Sequence, residues 1–442
     1  MRKRTMNGKQ MRKLVAAGLC MILGLSLCGC GESQEAQNIQ KEKTPEFEPS
    51  LDTEKPVSLE IAGFMGNFEA LDQVVNDFNQ YYPKVTVSYE QNSGTELVNY
   101  LENNKYVDIF MTSNNNVRQK EDEAGYVYDY CVDLSKEDLD TDVVDPLLLE
   151  ECTVDGKLTR IPLAKMLCGM VVNETLLEKE GLSIPQNYKE FIKVCEKLKE
   201  KGYTPVQASR FHASSDLVLP MAMAMIANDS DLKNQVNTAD GSSAEKLQTV
   251  FERLDELYSK GYMDAELNST YPDDNYDGAI LKFFEGDVPF WVCNTESVSG
   301  MQKRESKSEA FTANPFTYKF MYAPLGDEGV YDYEEPWYGF SVSKNSDDKD
   351  YAIEFLQFLM SGDELNKLAQ IKGMPSVTKD SDDERYELAA HPKKVDLTYI
   401  CDGSIRWGVN SAVADTSNDF GNGQLKSVKE AVEALQKRFE EL

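Results

Sequence analysis

Histidine is almost absent: the 442 residues contain only His212 and His391. Zinc motifs that set two histidines on one helix are therefore excluded, and metal hydrolases become poor candidates. Close cysteine pairs are missing too. Of the nine cysteines, the six after Cys30 (Cys131, Cys152, Cys168, Cys195, Cys293 and Cys401) are scattered and none forms Cys-x-x-Cys. An exported chain can oxidise such thiols, yet isolated cysteines serve equally well as small buried apolar residues, so their disulfide state stays open. Positive charge is scarce. Residues 1–29 hold six basic residues and no acid, which leaves 40 Lys plus Arg against 76 Asp plus Glu beyond them, a net charge of −36. A body so acidic repels nucleic acid and anionic headgroups. There is no internal repeat, and the N-terminal apolar run Leu14–Leu27, 14 residues long, is too short to span a bilayer.

That run has its own meaning. A basic start, Met1 to Lys13, precedes it, and Leu27-Cys28-Gly29-Cys30 closes it, the pattern of a bacterial lipoprotein export signal. Cleavage after residue 29 makes Cys30 the lipid-bearing N-terminus, with Gly29 giving steric access and Leu27 filling an apolar subsite. Cys28 is an unusual occupant of its position, where alanine, serine or threonine is commoner. The polar, acidic stretch that follows, 30–56, contains Pro45 and Pro49 and reads as a disordered tether. The expected location is extracytoplasmic, held to the cell membrane through the lipid alone.

Beyond the tether, about 385 residues are length enough for two or three domains. Val57, Leu59 and Ile61 alternate with polar or small residues, Leu71, Val74, Val75 and Phe78 recur at helical spacing, and Val85, Val87 and Tyr89 alternate again. This predicts strand, helix and parallel strand, with Asp108 to Met111 as a further strand. In such sheets ligands sit beyond the carboxyl ends of the strands, which points to the loops 63–68 and 112–116. Met170 to Val172 predicts another strand. Asn187 caps a helix carrying Phe191, Cys195 and Leu198, and a second helix runs from Leu247 to a stop at Lys260-Gly261. Leu425, Val428, Val432, Leu435, Phe439 and Leu442 form one apolar stripe, a docked last helix or a coiled-coil partner.

Several segments, in order, resemble a known family. Tyr82-Pro83-Lys84-Val85 closes a first βαβ unit, and Val107-Asp108-Ile109-Phe110 is similar to a "PDI" strand. Ile161-Pro162 with Val172-Asn173-Glu174-Thr175-Leu176-Leu177, then Pro185 and Tyr188 to Phe191, follows a crossing strand and helix start. Phe283 to Phe290 resembles an "F-x-x-G-x-A-A-M" segment. Ala352 to Ser361, followed by Gly373-Met374-Pro375, is similar to a late helix and its exit loop. Together they resemble the carbohydrate-type extracellular solute-binding proteins of bacterial ABC importers. Val172 and Tyr188 depart from the usual tyrosine and tryptophan, and the first loop lacks its customary tryptophan.

The resemblance implies an α/β, two-lobed periplasmic-binding-protein-like fold of type II. It implies lobe 1 from 57–163 plus 292–340 and lobe 2 from 164–291 plus 341–442, with three crossings near Pro162, Trp291 and Phe340. Solute would lie between the lobes, and the loaded monomer would dock on ABC permease subunits. No cofactor, metal or catalytic residue is implied. Sugars present apolar C–H faces and a rim of hydroxyls, so the site needs aromatic platforms and directional polar groups. Position selects among 44 aromatic residues. The candidates are Phe64 and Asn67 after the first strand; Ser113, Asn114 and Asn115 after the Asp108 strand; and His212 and Asp216 in the second lobe. Asn294 and Glu296 lie beyond Trp291, while Trp337, Tyr338 and Gly339 precede the third crossing, and Arg406 and Trp407 match a late segment. Asp273, Asn275, Asp277 and Gly278 imitate half a calcium loop whose twelfth position is Phe284, so a polar turn is the better reading.

Three functions are weighed. The leading one is a lipid-anchored receptor delivering a carbohydrate, preferably an oligosaccharide, to an importer. An exported carbohydrate-active hydrolase is the alternative from another class, since 76 acids can supply a catalytic carboxylate pair. A third keeps the fold and binds a peptide, a polyamine or another non-sugar solute.

Overall fold

The structure, a computed structural model, describes residues 46–65, 68–92, 96–113, 116–117, 120–121, 125–209, 214–271, 276–378, 384–400, 403–406 and 408–442. Strand β1 (Val57–Gly63), helix α1 (Glu69–Phe78), strand β2 (Val85–Gln91), helix α2 (Leu97–Asn103) and strand β3 (Ile109–Thr112) alternate as their periodicities predict. Two short strands, β4 (Ile161–Pro162) and β5 (Lys165–Met166), lead into β6 (Cys168–Asn173). Then come α3 (Tyr188–Glu200), β7 (Val206–Ala208), α4 (Ser215–Asn228), α5 (Gln248–Ser259), β8 (Phe290–Asn294), α6 (Thr295–Gln302) and β9 (Tyr318–Met321). The rest of the chain adds β10 (Val330–Pro336), β11 (Gly339–Val342), α7 (Lys349–Leu359), α8 (Glu364–Lys372), β12 (Val395–Ile400), α9 (Val409–Gly421) and α10 (Val428–Glu440).

Local chemistry explains the boundaries. Asn187 Oδ1 accepts from the Glu190 N–H at 3.0 Å and starts α3, while Ser427 Oγ accepts from the Glu430 N–H at 3.2 Å and starts α10. Each satisfies an N–H that the helix itself cannot. Gly261, at φ +65°, lies just past the end of α5, where the left-handed conformation favours glycine.

Two main sheets result. The first runs β2-β1-β3-β11-β4, with β1 parallel to β2 and β3 and with β11 antiparallel to β3 and β4. The second runs β7-β8-β6-β9, with β6 antiparallel to β8 and β9. A small third sheet runs β12-β10-β5, with β10 parallel to β12 and antiparallel to β5. Each main sheet has its own core. Leu59, Ile61, Phe78, Ile109, Phe340 and Phe355 belong to one buried cluster, and Val171, Phe191, Phe251, Phe290, Val292 and Phe320 to another. A smaller cluster with Ala62, Val98, Leu101 and Phe110 adds to the first sheet, so the cores fall into two lobes.

The pairings correct the expected division of the chain. Residues 292–340 do not join the first lobe up to β11: β8 and β9 flank β6, so Trp291 lies inside a strand of the second sheet and not at a crossing. Nor does 341–442 belong wholly to the second lobe. Helix α7 packs on the first core, where the Phe78 and Phe355 rings stand 5.1 Å apart, and only after α8 does the chain supply β12, α9 and α10. Both reassignments follow from burial. Phe290 to Cys293 is covered on both faces, so it needs a neighbour on each side, and β6 and β7 are those neighbours.

The tether boundary is corrected as well. Residues 46–55 were expected to be free, but they lie on the first lobe. Phe47 is buried and stands edge-on to Tyr81 and Phe358. The buried Glu354 carboxylate accepts from the Ser50 N–H at 2.7 Å, from Ser50 Oγ at 2.6 Å and from the Tyr82 hydroxyl. A buried carboxylate needs such donors. Ser50→Ala should therefore lower the unfolding free energy by about 2 kcal/mol, the worth of a hydrogen bond to a charged group. Urea denaturation measures it, and an unchanged midpoint would show that the Ser50 hydroxyl contributes nothing.

Candidate functional site

The site begins where β1 ends. Gly63 must be small, because a Cβ there would meet Tyr89 Oη at 2.5 Å and Met111 Sδ at 2.6 Å. The Tyr89 hydroxyl accepts from the Met65 N–H at 3.0 Å and donates to the Met65 carbonyl at 3.1 Å. Gln91 Nε2 donates to the Phe64 carbonyl at 3.3 Å. The loop is thus fixed on both sides of Phe64, and its ring stands 4.1 Å from the Tyr338 ring at an interplanar angle of 64°. Tyr338 in turn stands 5.1 Å from Trp337, at 70°. Three aromatic rings from two chain segments form one edge-to-face series, the arrangement their quadrupoles favour.

The second segment is positioned by backbone bonds. The Trp337 N–H donates to the Ala164 carbonyl at 2.8 Å, and the Leu163 N–H donates to the Tyr338 carbonyl at 3.0 Å. Gly339 continues this approach, since a Cβ there would meet the Ile161 carbonyl oxygen at 2.5 Å. Its identity therefore has a packing reason independent of any ligand.

Beside the rings, the start of α6 and the end of α8 line a pocket of about 360 Å³. Asn294 Oδ1 accepts from the Ser297 N–H at 3.1 Å and caps α6, so Glu296 falls in its first turn, where the helix dipole favours a negative charge. Thr295 Oγ1 donates to the Lys165 carbonyl at 3.1 Å, and Ser299 Oγ donates to the Lys372 carbonyl at 2.5 Å. Both tie α6 to neighbouring chain. Lys372 places its ammonium 4.9 Å from the centre of the Trp337 ring, a cation–π contact. Loss of water pushes the Lys372 pKa down, and the Glu296 charge opposes that shift. Burial, followed by the same Glu296 charge, pushes the Tyr338 hydroxyl up. Glu296 is thus felt by both the ring series and the lysine.

The structure brings together Phe64, Trp337, Tyr338, Asn294 and Glu296. It leaves others elsewhere. Ser113 Oγ donates to Asn116 Oδ1 at 2.8 Å within a turn just after β3. Asp216 lies buried in the first turn of α4, where its charge helps hold the Cys168 and Cys293 thiols high, after burial itself. Arg406 donates through its N–H to Asn237 Oδ1 at 2.7 Å, and its guanidinium bonds the Leu442 carbonyl, so it secures the chain end. Asn67, Asn114, Asn115, His212 and Trp407 lie outside the described residues, as do Cys30, Asp273 and Asn275. Cys131, Cys152, Cys168, Cys195 and Cys293 are buried free thiols. Sequence reasoning missed Lys372, Ser299, Lys303 and Arg304. The available signal for Lys372 was its place directly before Gly373-Met374-Pro375, a segment noted only as a helix exit.

With this geometry in hand, comparison with known proteins is decisive for the family. A model of the bacterial extracellular solute-binding protein family matches residues 63–363, well over half of the chain. The chain belongs to that family. Among curated relatives of this solute-binding protein is the multiple sugar-binding protein of Streptococcus mutans, 23% identical over 200 residues. That match covers 45% of this chain and 43% of the relative, so less than half of the relative's length is spanned. Solved structures agree over far more of the chain. A sugar transporter from Bacillus licheniformis in complex with stachyose has a TM-score of 0.61 at 18% identity, covering 87% of this chain and 99% of its own. The solute-binding protein RafE in complex with raffinose gives 0.65 at 17%, covering 87% and 99%. At such identities the likeness shows the fold, the two-lobed type II arrangement. Among the described residues no helix of this solute-binding protein is long and apolar enough to cross a membrane.

Strand β10, which leads into the ring series, carries three acids. Lys165 Nζ pairs with Glu334 at 2.7 Å. Asp332 is pushed up to about 6, mainly by burial and then by the Glu334 charge. Glu335 is pushed up to about 7 by burial, with Glu151 adding to the shift. The residue keeps some exposed surface, yet its carboxyl group is enclosed by protein. Because these folded-state values exceed the unfolded ones near 4, the native state holds extra protons between about pH 4 and pH 7. The contribution of these two carboxyls to stability is therefore greatest below that window and is lost as pH rises through it. Glu335→Gln should raise the urea midpoint at pH 8 and leave it nearly unchanged at pH 4; the same gain at both pH values would contradict this origin.

Proposed function

We propose that this solute-binding protein is the receptor of a bacterial ABC importer and that it captures a carbohydrate, preferably an oligosaccharide, between its lobes. The observation that carries the reading is the Phe64–Tyr338 ring pair, 4.1 Å apart, beside a pocket lined by Asn294, Glu296, Ser297 and Lys372. Apolar sugar faces stack on such rings while amide, carboxylate and hydroxyl groups meet the hydroxyl rim. Support also comes from the relatives, one complexed with stachyose and one with raffinose. Solute favours the approach of the lobes because it touches groups from both, and only such differential contact can shift the equilibrium. The loaded form then docks on permease subunits. Catalysis has no part in this reading: the solute is released unaltered.

The chain is held to the membrane by diacylglycerol on Cys30, after removal of residues 1–29 as a signal peptide.

A thermal-shift screen with raffinose, stachyose and related oligosaccharides, alongside amino acids and polyamines, tests the ligand class. Saturable stabilisation by a sugar is expected, with thin-layer chromatography showing no breakdown; cleavage of the sugar would favour a hydrolase instead. Tyr338→Ala should weaken sugar binding about tenfold, corresponding to roughly 1.4 kcal/mol. For the anchor, cells fed radiolabelled palmitate should label the wild-type protein but not Cys30→Ala. Equal labelling of both would remove Cys30 from the account.

A further inference from the structure

The pocket is charged against the trend of the whole chain. Beyond residue 29 the protein carries −36, yet the pocket wall presents Lys303, Arg304 and Lys372 against the single carboxylate of Glu296. Two of these cations are already engaged, Lys303 with Glu69 at 3.5 Å and Arg304 with the Gly300 carbonyl at 3.0 Å. Lys372 is not. It has no carboxylate within 4.0 Å among the described residues, and its ammonium rests over the Trp337 ring. Trp337 itself is buried and its Nε1–H has no acceptor among the described residues. An ammonium is a donor only, so at Lys372 the pocket wall offers positive charge without a matching carboxylate among the described residues.

We propose that the solute is an anionic saccharide, with one negatively charged group on the sugar chain seated against Lys372 while a sugar face lies on Tyr338 and Phe64. This rests on the carbohydrate reading above and narrows it. Neutral hydroxyls would be served by Asn294, Ser297 and Glu296 alone; the partly desolvated lysine is the feature they leave unused. Both a uronic-acid carboxylate and a sugar phosphate supply the required charge, and Lys372, as a point charge, accepts either.

Calorimetric titration of the full mature chain tests this with three matched ligands: a neutral oligosaccharide, its uronate-containing counterpart and a phosphorylated one. At least one anionic ligand should bind about tenfold more tightly than the neutral one, and which of the two does so identifies the source of the charge. Lys372→Met keeps the methylene stem on Trp337 and should abolish that preference. Should the variant prove unstable, the wild type gives a second readout, since the anionic advantage should shrink between 0.05 and 0.5 M salt while neutral binding stays constant. Equal affinity for neutral and anionic ligands would overturn the inference and leave the sugar receptor standing. Failure of every saccharide to bind would remove the carbohydrate reading, and the inference with it.

Discussion

Everything at the candidate site depends on three stretches of chain bonded side by side between the two sheets. Residues 163–164 exchange backbone hydrogen bonds with 337–338, and the Lys165 N–H donates to the Pro375 carbonyl at 2.8 Å. Strand β5 adds antiparallel pairing with the end of β10, Glu335 opposite Met166 and Pro336 opposite Lys165. Backbone bonds are short and directional, so this junction sets where Trp337 and Tyr338 stand relative to the β1 loop. On the proposed receptor reading, an approach of the lobes would be absorbed there, because few residues can change φ and ψ without breaking a core.

Charge is distributed with the same economy. Beyond residue 29 the chain carries a net charge of −36, which repels polyanions. At the junction, by contrast, Asp332 and Glu335 are enclosed and hold their protons to about 6 and about 7. Beside the rings, Lys372 is the uncommon cation, with burial weakening its hold on a proton and Glu296 restoring part of it. A solute approaching this region meets an aromatic surface, a capped helix start and a positive corner in close succession.

Much of the fold was legible because local periodicity is a physical signal. The alternation of Val57, Leu59 and Ile61 and the spacing of Leu71, Val74 and Phe78 reflect one-sided burial of a strand and a helix. Lobe membership was not legible. A strand covered on both faces, such as Phe290 to Asn294, reads only as apolar, and nothing local says which sheet receives it. The arm at 46–55 misled for the opposite reason: it is polar by composition, and what holds it is Glu354, some 300 positions away in sequence. Phe64, Asn294 and Glu296 were singled out by their place after strands and Tyr338 by its place before an expected crossing, and the structure sets the Tyr338 ring beside Phe64 and within reach of the Glu296 charge. Lys372 was not singled out, because its importance arises only where the end of α8 meets the start of α6. Arg406 looked like a site residue by resemblance, yet its guanidinium is committed to the chain terminus.

The central claim is that two lobes, joined through that bonded junction, approach one another on a solute bound between them. Small-angle X-ray scattering of the mature protein, with and without a saturating sugar, tests it most directly. The account predicts a smaller radius of gyration and a narrower distribution of interatomic distances when the sugar is bound. An unchanged scattering profile, in a sample whose saturation is verified by thermal shift, would contradict it.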